Sequence, residues 1–559
     1  MITMKNLIKK SWVILLIGVM ACTDLNLVPK GRASSEILLT TPEGYQKLLA
    51  KLYLGLANTG QNGPAGAPDI ATGDEGFSQY IRALWNAETM PTDEAVTLWG
   101  DPNLKDYHAH NWTSQSAFLT QFYYRIFYQI ALANQFLREI SDANLTKRGL
   151  PTTFINTTAK VYRAEARLLR ALSYWHGLNY FRNIPFTDEN SGTGAPKQAT
   201  PQEIFNFIES EIKAIETILL PAKTNVYGRF DAAVAHTVLA KLYLNAEVYI
   251  GTAKYTECIT YLNKVIPAGY SLAPVYLYNF LTDNNTSPEM IFGVPHDALR
   301  TPNFGGVTLI INGAVGGALA SLPKVGGRNP IIGNDASWAG HRTTKALVNL
   351  FPDETGVIDS RALFYTNGQN KEINDINAFT DGYMVTKFRN VNKAGVPGSD
   401  PVFTDTDFPL FRLADIYLMY AEAVLRGGTG GSVAQAVTYM NQVRQRAYGA
   451  NYGSGAGTPP GYLGMGVISA TGGVGIAEII GLDLILDERG REFYWEGHRR
   501  TDMVRFGVFT DNPTGNSRGL WPWKGNVKDG RTTESFRRIY PIPASDIIAN
   551  QNLKQNTGY

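Results

Sequence analysis

Cysteine is almost absent: the 559 residues hold two, Cys22 and Cys258, in unlike settings, so a disulfide framework is not expected. Neither sign of charge is in excess. Lys and Arg total 51 against 49 Asp and Glu, a net of +2, which gives no reason to expect nucleic acid or an acidic membrane patch as a partner. Histidine is scarce at seven. His108-Ala109-His110 is a close pair, but alternate positions need a third ligand to hold a metal, and no other histidine stands at ligand spacing; packed or solvated histidines are expected. The glycine-rich runs GVGIAE and GGTGGS are not followed by Gly-Lys-Ser/Thr, and there is no Gly-x-Ser-x-Gly elbow. Phosphate-loop and serine-hydrolase chemistry are therefore unsupported. The apolar run WVILLIGVM is nine residues long, where a permanent membrane span needs about 20.

What is present is a composition of 44% hydrophobic and 18% charged residues, that of a folded chain with a sizeable core. Aromatics are plentiful at 11%, with 29 Tyr and 9 Trp. Most such rings pack in cores, yet flat rings are also what a sugar-binding surface uses. The stretch RAEARLLRALSYWHGLNYFRNIPF, residues 163–186, repeats Leu168, Leu169, Leu172, Tyr174, Trp175, Leu178 and Phe181 at three- and four-residue steps. That is a helix buried along a broad stripe, which Pro185 is expected to stop.

In chain order, residues 1–21 read as a signal peptide: Lys5, Lys9 and Lys10, then the apolar run, then Val19-Met20-Ala21-Cys22, similar to a bacterial lipobox. Cleavage before Cys22 and its acylation are expected, and several acyl chains anchor stably where one does not. A tether at 22–40 leads to a single unit at 41–559. Thr41-Pro42-Glu43 opens a helix to Ala57, and Thr200-Pro201-Gln202-Glu203 is a capping box. Helices are expected at 41–57, 116–266 and 412–448, including two antiparallel pairs, 231–249 with 254–266 and the pair within 412–448. Such pairs are read either as degenerate tetratricopeptide-like repeats or as generic hairpins. Cys258 lies in the first pair and reads as a small buried hydrophobe. Irregular segments occupy 58–115, 267–411 and 449–475; GVTLIING and YMVTKFRN within them read as β-like runs, and 74–112 as surface. A last helix is expected over about 476–498, with the C-terminus lying over the surface. The fold class is thus mainly α, a helical scaffold with an inserted irregular, loop-rich subdomain.

Glu488, Glu492 and Glu496 stand four apart with Arg491, Arg499 and Arg500 close by. Paired carboxylates hydrolyse glycosides, but a glutamate hemmed in by arginine has a depressed pKa and is a poor general acid, so an ion-paired scaffold is expected. Asp405 and Asp407 alternate in DTDFP, as calcium ligands do, and Asp283-Asn284-Asn285 offers more oxygens. Turn-forming residues give the same pattern.

The 163–186 helix, together with REFYWEGHRRTDMVRFG at 491–507, closely resembles the SusD-like (RagB/SusD) family of outer-membrane glycan-binding lipoproteins. The resemblance runs over nearly the whole chain. With the family's starch-binding member it continues through Asp74-Glu75-Gly76, Arg82, PTDE and Trp99, then Asn303-Phe304-Gly305-Gly306 and Ser337-Trp338. It implies tetratricopeptide-like units and a loop-rich face whose arc of rings, here Trp99, Phe304 and Trp338, cradles a glycan beside Asp74, Arg82 and Asp101 or Asn103. Phe304 stands where that member has a tyrosine, which keeps stacking and loses a hydroxyl. A structural calcium near Asp283, Asp405 and Asp407 is implied in the same way, with no cofactor required. So are anchoring through Cys22 at the outer-membrane surface, a SusC-like TonB-dependent transporter as partner, and binding of starch or malto-oligosaccharide without cleavage. The RagB branch implies peptide as the alternative cargo; a glycoside hydrolase is the remaining one.

Overall fold

The computed structural model describes residues 38–60, 64, 68–70, 76–453, 466–471, 478–510 and 517–559. The signal segment, Cys22, most of the tether and Asp74 lie outside the described residues. The first regular element, α1 (Pro42–Ala57), starts as its sequence dictates: Thr41 accepts from the Gly44 amide and Pro42 fills the first turn. α2 (Tyr80–Thr89) comes next, then α3 (Ala117–Glu139) and α4 (Thr158–Phe181). Pro185 does not end α4. Arg182, at φ +62°, breaks the helix first, and Pro185 sits in a two-residue strand paired with Gln198.

The capping box at Thr200 and Glu203 opens α5 (Pro201–Ile215) as expected. Asp231 then caps α6 (Ala232–Leu244), which leads to α7 (Tyr255–Val265), in which Cys258 is fully buried. Four short strands, β1 (Val96–Thr97), β2 (Met290–Val294), β3 (His341–Arg342) and β4 (Phe408–Arg412), tie the loop-rich region together. α8 (Gly306–Ala314) lies between β2 and β3. Then come α9 (Leu413–Leu425), α10 (Val433–Tyr448), α11 (Leu482–Phe493) and α12 (Arg499–Arg505), with a short helix, Ala544–Ala549, near the C-terminus.

The helices pack in series: α3 on α4, α4 on α5, α6 on α7, α7 on α9, α9 on α10 and on α11. This is a tetratricopeptide-like stack of helical hairpins, and one apolar core runs through it from Leu39 to Leu553. Between α7 and α9 the chain leaves the stack and returns. β2 and β4 pair antiparallel at the root of that excursion, Met290 opposite Arg412 and Val294 opposite Phe408. The inserted region is therefore clamped where it departs.

Several expectations are corrected. GVTLIING is helical, forming α8, with every residue from Gly306 to Ala314 buried. A short apolar run surrounded on all sides has no amphipathic period to reveal its type. The segment after residue 76 is largely interior: all ten residues of α2 are buried, as are Pro91–Thr97. Its polar groups find partners inside, Asp93 with Arg499 and Glu88 with Tyr180 and Thr501. The last helix is shorter, ending at Phe493, because Tyr494 is extended and Trp495 adopts φ +64°. At the C-terminus residues 540–543 are buried, while from Ala544 onward most residues are exposed or half-buried, so that end lies over the surface beyond its first four residues.

The carboxylates of α11, with Glu496 just past its end, are an ion-paired scaffold. Glu488 binds Arg361, Arg444 and Arg491; Glu492 binds Arg361, Arg412 and Arg446; Glu496 binds Lys387 and Arg412. All three glutamates are essentially inaccessible. Burial alone would raise the Glu488 and Glu492 pKa values, but the surrounding guanidiniums outweigh it and hold both well below the usual carboxylate range.

Candidate functional site

α8 is the floor on which the candidate site is laid. The last carbonyls of a helix lack partners within it, and here residues 338–340 supply them. Trp338 N–H donates to Asn312 O at 2.9 Å and Gly340 N–H to Gly313 O at 2.8 Å. The same segment runs on into β3, which pairs antiparallel with β1, Thr97 opposite His341 and Val96 opposite Arg342. Leu98 N–H extends the ladder to Gly340 O at 3.0 Å. Two residues beyond β1 stands Trp99, whose indole N–H donates to the Trp338 carbonyl at 3.1 Å across 239 positions of sequence. The ladder and that bond fix the two tryptophans beside one another.

Trp99 lies against backbone, with no side chain between. A Cβ placed on Gly340 would fall 2.1 Å from its Cε2, and one on Gly313 3.2 Å from its Cη2. Beneath it His341 packs at 4.4 Å between centroids, and Trp85 and Trp495 surround that imidazole. Burial, with Arg82 and Arg342 adding to it, pulls His341 down to about 3, so the support is a neutral ring.

Phe304 arrives from the loop before α8. Asn303 donates to Ala57 O and accepts from Gly305 N–H, pinning the turn. Gly306 takes φ +54° where a Cβ would meet His296 Nε2 at 2.4 Å, a close approach only glycine allows. The Phe304 ring stands 6.2 Å from that of Trp338 at an interplanar angle of 51°, and 5.2 Å from Phe403 at 55°. Trp99, Phe304, Trp338 and Phe403 are all half-buried. They form an aromatic platform, partly open to water and tilted from ring to ring. Phe403 has the same kind of setting in the sequence as Trp99, a lone ring among Pro, Thr and Asp, and that setting could have marked it.

The polar members fall out differently. Asp101 is exposed, two residues past Trp99, with its carboxylate available to a hydroxyl. Asn103 is committed: at φ +67°, its amide donates to Asp106 at 2.9 Å and its oxygen accepts from Ala117 N–H at the start of α3. Arg82 is only 4% exposed and lies over Phe77 and Phe118 at 5.6 and 5.9 Å. Its guanidinium is almost wholly covered in this structure, since α2 is interior. Asp74 lies outside the described residues.

The residues named for calcium hold hydrogen bonds to neighbouring loops. Among the described residues no group of three or more His, Cys, Asp or Glu could hold a metal. Asp405 accepts from Ala298 N–H and Ser399 N–H, Asp407 from His296 N–H and Tyr227 O–H, and Asp283 from Lys393 N–H. These carboxylates tie loops together. Burial pushes Asp407 up to about 6, with Tyr227 and His296 partly offsetting it. His108 and His110 are buried packing residues, each lowered by burial, His108 to about 3.

The SusD family model matches residues 353–559, and a second model, described as starch-binding and associating with the outer membrane, matches 70–244. The chain is 32% identical over 562 aligned positions to the starch-binding protein SusD of Bacteroides thetaiotaomicron, covering 92% of both chains. A SusD homolog of known structure from the same organism superposes with a TM-score of 0.69 at 18% identity, over 95% of this chain and all of that one. A laminarin-binding SusD-like protein superposes at 0.66 and 21% identity, over 93% of this chain and all of that one.

Proposed function

We propose, from the premise that the chain belongs to the SusD family, that it captures polysaccharide or oligosaccharide on the aromatic platform, with starch and malto-oligosaccharide the first candidates. It then passes the glycan to a TonB-dependent outer-membrane transporter. The observation carrying this is the meeting of Trp99, Phe304 and Trp338, drawn from distant segments, as half-exposed rings on one rigid floor. A flat ring stacks on the apolar face of a sugar and both shed water. Tilted successive rings suit a curved chain better than a flat ribbon. Asp101 offers a charge-assisted hydrogen bond to a hydroxyl.

The mechanism is binding. The carboxylates that could be mistaken for a hydrolytic pair, Glu488 and Glu492, are inaccessible and clamped in arginine. A general acid must be reachable and must hold a proton near neutral pH. Rigid loops bound at α8 reduce the ordering that binding would otherwise cost. Attachment at the cell surface through acylated Cys22 belongs to the same proposal, with residues 41–559 acting as one unit.

Affinity electrophoresis through gels containing amylopectin, laminarin or dextran tests the assignment. Retardation in amylopectin is expected. Migration unchanged in every polysaccharide, together with saturable binding of an oligopeptide mixture, would move the assignment to peptide uptake. In cells, Cys22→Ala is expected to shift the protein out of the membrane fraction on immunoblots.

A further inference from the structure

Between two phenylalanines that are shut away, Phe388 and Phe408 at 2% and 0% exposed, Phe403 remains half open. Its backbone is held from several sides. Asp400 accepts from the N–H groups of Val402 and Phe403 at 2.8 and 2.9 Å, and Asn390 donates to Phe403 O at 3.2 Å. A central link to the rest of the platform is Asn312, a fully buried residue of α8. Its main-chain carbonyl accepts from Trp338 N–H at 2.9 Å, while its side-chain amide donates to Val402 O at 2.9 Å and its side-chain oxygen accepts from Asn334 at 2.7 Å. Together with Asp335 N–H to Pro401 O at 2.7 Å and the Asn334 amide to Val402 O at 3.2 Å, the Asn312 side chain joins the loop that carries Trp338 to the loop that carries Phe403.

We propose that Phe403 is a fourth stacking ring, an added subsite at the Phe304 end of the platform, and that Asn312 is the positioning residue that holds it in register with Trp338. The proposal rests on the glycan-binding assignment above and extends it to ligand length. Phe403 stands 5.2 Å from Phe304 at 55°, and Phe304 stands 6.2 Å from Trp338 at 51°. The step and the tilt repeat. A chain that bends to follow three rings is thus carried on to a fourth. A glycan too short to reach it loses that contact, and one long enough gains a stacking face that shape alone selects, since a phenyl ring donates no directional hydrogen bond.

The test uses the full mature chain and calorimetric titration with maltotriose, maltopentaose and maltoheptaose, with laminariheptaose in parallel. Phe403→Ala is expected to weaken the heptaose roughly tenfold and to leave the triose within a factor of two. Phe403→Leu keeps apolar volume without a flat face and is expected to match the Ala variant, while Phe403→Trp is expected to restore binding. Asn312→Leu is expected to reproduce the length-selective loss with the triose unaffected. Equal affinity of Phe403→Leu and the unaltered protein for every heptaose, with Trp99→Ala still weakening them, overturns the fourth subsite and leaves the platform standing. Loss of triose and heptaose in equal proportion in the Phe403 variants overturns it as well, as does failure of every oligosaccharide to bind the unaltered chain, which removes the platform with it.

Discussion

Gly340 has no side chain because Trp99 occupies the place where one would be, with 2.1 Å left to a Cβ. Contacts that tight force something to move, and here the movable partner is the ring. Gly340→Val is expected to tilt Trp99 off its floor and weaken heptaose binding at least tenfold, with the helical far-ultraviolet signal unchanged; titration calorimetry and circular dichroism check both halves. Phe304→Tyr is expected to leave stacking intact, so affinity stays within about threefold by the same titration. At this scale Trp99, Phe304 and Trp338 were marked by the family resemblance, and the structure brings their rings together. Gly340, Gly313, His341 and Asn312 were not legible. Each is set by a contact that arrives from far along the chain, and nothing local in the sequence announces it.

At the scale of elements, α11 is the most consequential helix. Its face of glutamates is enclosed by Arg361, Arg412, Arg444, Arg446 and Arg491. Removing one member of a buried network strands the opposing charge, typically for about 3–5 kcal/mol. Glu492→Gln is therefore expected to lower the unfolding free energy by about that much, measured by urea titration with Trp fluorescence. Acid should act on the same groups. Burial would raise Glu422, but Arg505 and Arg426 hold it down at about 2, and Glu488 and Glu492 are likewise depressed. A depressed folded pKa gives stability that is complete above the unfolded value of about 4.3 and is lost as pH falls through the folded value. Asp407, raised by burial to about 6, has the opposite sign and loses its share as pH rises towards 6. The depressed groups outnumber it, so stability is expected to fall between pH 5 and pH 3, and to fall less steeply in Glu492→Gln. The scaffold character of this helix was readable from arginines at three- and four-residue spacing. The identity of α8 was not, because a helix buried on every side shows no stripe.

At the scale of the whole molecule, the helical stack and the site belong to different stretches of sequence. α3–α7 and α9–α11 build the stack, with amphipathic periods and capping signals plain enough to place most of these helices within a few residues, α11 being the shorter exception. The platform comes from three loops and a helix that meet only after the excursion between β2 and β4 has folded back on itself. Its assembly depends on pairings such as Thr97 with His341, which no local pattern specifies. Binding should in turn stabilise the entire unit: maltoheptaose at 100 times its dissociation constant adds about 2.7 kcal/mol, read as a rise in the thermal midpoint. The most direct measurement is calorimetric titration of maltoheptaose, with laminariheptaose in parallel, into the unaltered chain and into the Trp99→Ala/Trp338→Ala double variant. Saturable binding that the double substitution abolishes, with the thermal midpoint of the unliganded protein retained, is the result expected. Equal affinity in both proteins would contradict the aromatic platform as the place where glycan is held.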